Sequence, residues 1–72
     1  MKYVIIRNYH PVVFSEALVH ADMVKIGHPT SAGFVEIVDG KVNIYGKSIS
    51  LKLEPDKKMD QILLERLFGI KE

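Results

Sequence analysis

The dipeptide Asp39-Gly40 lies between two runs of strand-forming residues, Phe34-Val35-Glu36-Ile37-Val38 and Lys41-Val42-Asn43-Ile44-Tyr45. A two-residue type I′ turn needs positive φ at both central positions, which Asp-Gly accepts at little cost. The register follows from that turn. Val38 faces Lys41 and Glu36 faces Asn43, while the pairs Val35–Ile44 and Ile37–Val42 share the other side. Because strand side chains alternate between faces, this second set is expected to meet the core.

The remaining segments are read from periodicity. Tyr3-Val4-Ile5-Ile6 is β-branched and aromatic and predicts a strand, and Asn8-Tyr9-His10-Pro11 supplies turn chemistry before a second strand at Val12-Val13-Phe14. Ser15 is placed to cap a short helix, with Glu16 in its first turn and Ala17, Leu18, Ala21 and Val24 along one face. Lys25 and Gly27 mark its end, and Gly27–Gly33 reads as a loop. After a bend at Gly46, Ser48-Ile49-Ser50-Leu51-Lys52-Leu53 alternates strictly, which predicts a half-buried strand with Ile49, Leu51 and Leu53 inward. Pro55 ends it. Asp56 caps a final helix running to about Phe68, with Met59, Ile62, Leu63, Leu67 and Ile70 as its apolar face.

The order β-β-α-β-β-β-α predicts one small α+β domain over 1–72, a mostly antiparallel sheet of about five strands with the short and C-terminal helices on one face. The chain has 72 residues, and a domain that short buries only about 60% of the surface its unfolded form exposes. No room is left for two lobes around a dinucleotide crevice. Ten Lys and Arg oppose nine Asp and Glu, and they are interspersed. Duplex-binding proteins gather cations on one face, so duplex recognition is not the first expectation. The absence of cysteine removes disulfides, thiolate zinc sites and a cysteine nucleophile, and leans toward a cytoplasmic setting. No apolar run is long enough for a signal peptide or a bilayer span.

No familiar catalytic pattern emerges. His10, His20 and His28 have no metal-site spacing. The Gly27–Gly33 segment leads into a strand and holds no lysine, unlike a phosphate-gripping loop. Neither Ser31 nor Ser48 is flanked by the glycines of a nucleophile elbow. Asp56 and Asp60 neighbour Lys57 and Lys58 and read as a solvated face. A non-enzymatic protein without a cofactor or metal is expected.

Two binding readings remain. Leu64 and Phe68 widen the final helix's apolar face beyond what one sheet face normally hides. Either the sheet curls over both, or they contact a second copy or another protein. The alternative is a nucleic-acid or small-anion site on the polar sheet face and the Gly27–Gly33 loop. Lys41, Lys47 and Lys52 would gather near Tyr45, with His28 and Ser31 from the loop.

The stretch Pro11-Val12-Val13-Phe14-Ser15-Glu16-Ala17-Leu18-Val19-His20-Ala21-Asp22 resembles the start of a group of short hypothetical proteins encoded in tailed phages and prophages. The blocks Thr30-Ser31-Ala32-Gly33-Phe34-Val35 and Gly46-Lys47-Ser48-Ile49-Ser50-Leu51-Lys52-Leu53 resemble the same group, in the same order. The resemblance implies a phage or prophage origin. It brings no catalytic or binding residues, because the group's pattern carries no assigned activity.

Overall fold

Two hairpins make the sheet. In a computed structural model, which describes residues 1–69, β1 (Lys2–Ile6) and β2 (His10–Phe14) form the first, and β3 (Pro29–Val38) and β4 (Lys41–Tyr45) the second. β1 and β3 pair antiparallel and join the hairpins in the order β2-β1-β3-β4. The second hairpin has the register its turn dictates, with Val35 opposite Ile44 and Ile37 opposite Val42. Asp39 and Gly40 take φ of 51° and 75°, the left-handed geometry that favours Asp-Gly there.

Each face of the sheet has its own core. On one side Tyr3, Ile5, Val35, Val42 and Ile44 pack with Leu64 of the helix α1 (Lys57–Phe68). On the other, Val4, Ile6 and Ala32 are covered by Met23, Leu51 and Leu53. Met23 comes from a short 3₁₀ helix, η1 (His20–Ile26), so the two helices lie on opposite faces rather than on one. Both sheet edges are modified. The β2 edge carries Pro11, which has no N–H to offer, and on β4 the Gln61 side chain donates to the Val42 carbonyl at 2.9 Å.

The strand count among the described residues is four, and the segment expected as a fifth strand is a closed loop. Only Ser48 and Leu53 pair, and they pair with each other. Leucine and lysine at 51–53 supply little of the β-branched bulk that holds a chain extended, and Lys52 turns to a φ of 56°.

The first helix also differs. Ser15 accepts from the Ala17 N–H at 3.1 Å and caps a turn, while the helix begins only at His20. A 3₁₀ helix repeats every three residues, so His20 and Met23 point inward. The stripe Ala17, Leu18, Ala21 and Val24, chosen for a 3.6-residue repeat, stays exposed. The expected loop is shorter as well: from Pro29 onward, Gly27–Gly33 belongs to β3.

The face of α1 is rotated from expectation. Leu64 is 0% exposed, and Phe68 packs against the same cluster, whereas Met59, Ile62 and Leu67 remain 49%, 38% and 47% exposed. Leu64 and Phe68 therefore belong to the core and are not free contact residues. Asp60 decides the rotation. Buried with Leu64 four residues on and Phe68 eight on, it sets the inward stripe, and it is not part of a solvated face. Ile70, expected on the apolar face, lies outside the described residues.

Candidate functional site

Two places concentrate polar side chains, and they lie on opposite faces. The first is the Asp60 carboxylate under α1. Tyr3 Oη donates to Asp60 Oδ2 at 2.7 Å, Ser31 Oγ donates to Oδ1 at 2.9 Å, and the Asp56 N–H donates to Oδ2 at 3.0 Å. β1 brings Tyr3, β3 brings Ser31, and the first turn of α1 brings the acceptor. Burial, helped by the hydrogen bond to Asp60 and the charges of Asp60 and Asp56, pushes the Tyr3 phenol above the usual tyrosine range. Tyr3 therefore remains a donor. The arrangement ties the helix to the two central strands. Ser31 and the carboxylate it donates to are both buried, while His20 hydrogen-bonds the Gly33 carbonyl at 2.8 Å and rests against Phe14 and Phe34.

The second place is the loop after β4. Gly46 has a φ of 67° and lies under the Phe34 ring, where a Cβ would come within 2.8 Å of Phe34 Cδ1. This turns the chain from the sheet edge back across the face. Ser48 N–H donates to the Leu53 carbonyl at 2.9 Å and Leu53 N–H returns a bond to Ser48 at 3.2 Å. The buried Ser48 Oγ accepts from the Leu51 N–H at 3.2 Å, closing the loop from inside. Leu51 and Leu53 point down onto the second core. Ile49 does not: it is 82% exposed.

Three grooves adjoin along this loop. The largest, about 630 Å³, is lined by Thr30, Lys47, Ile49, Lys52 and Glu54 among others. A second of about 440 Å³ shares Lys47 and Glu54 and adds Pro55 and Lys57. A third of about 370 Å³ shares Lys47 and Ile49 and continues past Val19 to Phe34 and Lys2. Lys47 lines all three, and the three together are called the trough. Its charged side chains are Lys2, Lys47, Lys52 and Lys57 against Glu54 alone. Lys2 is already held, donating to the Leu18 carbonyl at 2.6 Å. Lys47, Lys52 and Lys57 form no ion pair among the described residues.

The structure brings together only part of the expected anion site. Lys47 and Lys52 share the trough. Lys41 is beside the Asp39-Gly40 turn, in a separate groove with Glu36 and Asp39. Tyr45 stacks on Phe34 with centroids 5.5 Å apart. Ser31 is buried against Asp60 on the opposite face, and exposed His28 takes the Arg7 N–H on its backbone carbonyl. The polar sheet face itself is not open, because η1 and the loop cover much of it.

Ile49, Lys57 and Asp60 escaped the sequence reading. The signal for Asp60 was present as the 60/64/68 spacing, and the signal for Ile49 was the pair of serines around it, which favours a turn. No protein-family model, curated protein or solved structure matches the chain. Among the described residues no group of three His, Cys, Asp or Glu converges, and no helix is long and apolar enough to cross a membrane.

Proposed function

We propose that this chain is a non-enzymatic accessory domain that works through protein contacts, and that its contact surface is the trough around Gly46–Glu54. One observation carries the reading. Ile49 is the most exposed large apolar side chain among the described residues, and it stands on a loop closed by Ser48 rather than on a loose strand. Holding an apolar side chain in water on an ordered loop has a cost, and a partner that covers it removes that cost. A cytoplasmic setting, consistent with a cysteine-free chain, and a phage or prophage source, resting on the resemblance alone, belong to the same proposal.

The test is capture from cells of the source organism with wild-type and Ile49→Asp baits. Retention by wild type and loss with Ile49→Asp, at an unchanged melting temperature, supports the trough as the contact surface. Capture that survives Ile49→Asp but is lost with Ile62→Asp contradicts it and moves the surface to the exposed flank of α1. Native mass spectrometry of the bare protein at two concentrations shows whether a second copy is the partner.

A further inference from the structure

We infer that the partner segment in the trough is an acidic polypeptide stretch with an apolar side chain among its carboxylates. The inference rests on the trough being the contact surface, and it names the chemistry of what binds there. Three lysines without ion pairs among the described residues line grooves that contain one carboxylate, Glu54. An incoming carboxylate meets Lys47 and Lys52 in the first groove and Lys47 and Lys57 in the second. Ile49 lines both the first and third grooves, and Val19, also exposed, lines the third with it. An apolar side chain placed there loses water on two sides.

The other anionic partners fit less well. A nucleic acid strand wants stacking platforms, and the nearest exposed aromatic, Tyr45, already has one face on Phe34. Neutral donors for phosphate oxygens are scarce too. Ser48 Oγ is buried and Thr30 Oγ1 already donates to the Ile5 carbonyl, which leaves Ser50 as the exposed hydroxyl of these grooves. Glu54 also repels a densely charged polyanion but leaves room for spaced carboxylates.

The experiment is an amide-resolved NMR titration of the full chain with a short synthetic peptide of glutamates around a central leucine. Shifts are expected at Lys47–Glu54, Thr30 and Val19, with the affinity falling as salt rises. Combining Lys47→Glu with Lys52→Glu is expected to weaken binding roughly tenfold or more. Ile49→Ser is expected to reduce affinity for the leucine peptide while leaving the spectrum of the rest of the fold in place. Shifts confined to other residues, or none, overturn the inference. So does a stronger response to oligothymidylate or to phosphatidylserine vesicles, and so does equal binding of a peptide lacking the leucine. If the peptide fails while cellular capture still depends on Ile49, the partner's chemistry is wrong and the contact surface stands. If capture is also independent of Ile49, both fall.

Discussion

The two faces of the sheet are covered in different ways. One face lies under a single regular helix, whose inward stripe of Asp60, Leu64 and Phe68 meets Tyr3, Ser31 and the apolar side chains of the strands. The other lies under a 3₁₀ helix and a closed loop, which bury Met23, Leu51 and Leu53 but leave Val19 and Ile49 in water. A regular helix offers few exits for its backbone and makes a continuous core. Irregular cover satisfies its backbone locally, through Ser15 and Ser48, and so can hold side chains outward. The helix side carries the buried carboxylate network, and the loop side carries the proposed contact surface.

The comparison is broken most severely at Asp60. Asp60→Ala leaves two buried hydroxyls and a backbone N–H without their acceptor, a loss of about 3–5 kcal/mol in urea unfolding. Against a typical total of about 5–15 kcal/mol, that brings the domain close to unfolding. Leu64→Ala follows, at about 2–5 kcal/mol for emptying a fully buried site. Leu67→Ala, on the half-exposed flank of the same helix, is expected to cost under about 1 kcal/mol. Equal losses at 64 and 67 would mean that the helix is rotated from the position described here.

Smaller effects sharpen the picture. Gly46→Ala puts a Cβ into the Phe34 ring at a positive φ, a loss of about 1–3 kcal/mol in thermal or urea unfolding, with the amide signals of 46–54 moving first. Tyr3 gives a pH signature. Its pKa is raised in the folded state, so its contribution is complete below the unfolded value of about 10. Above that pH the unfolded chain loses the proton and the folded chain keeps it, and stability falls by about 1.4 kcal/mol per pH unit. Tyr3→Phe is expected to remove that component of the alkaline slope. An unchanged slope would show that the phenol titrates in the folded protein.

Legibility in the sequence followed the same division. The register of the hairpin at 34–45 was readable, because Asp39-Gly40 fixes it, and of the side expected to meet the core Val35, Val42 and Ile44 are buried while Ile37 is exposed. The sheet class, the first hairpin and the span of α1 were readable from β-branched runs, the Asp56 cap and the stop at Gly69. The facing of α1 was not. Among the described residues of the expected stripe only Leu63 packs on the core, and the partnership of Asp60 with Tyr3 and Ser31 goes with a facing that leaves Met59, Ile62 and Leu67 exposed. Strict alternation at 48–53 was equally misleading, since the same pattern serves a loop that pairs with itself. Four of the six anion candidates lie elsewhere: Lys47 and Lys52 follow the loop into the trough, whereas Lys41, Tyr45, Ser31 and His28 stay with the sheet strands or the residue before them.

The most direct measurement sets one acidic substitution on each face side by side: urea unfolding and peptide titration of Leu64→Glu and Ile49→Glu. Leu64→Glu is expected to be unfolded, or nearly so, without denaturant, since a carboxylate would enter a dry core. Ile49→Glu is expected to keep the wild-type midpoint within about 0.5 kcal/mol and to lose the acidic peptide. A folded Leu64→Glu protein, or an Ile49→Glu protein that unfolds, would contradict the division of the molecule into a stabilising face and a binding face.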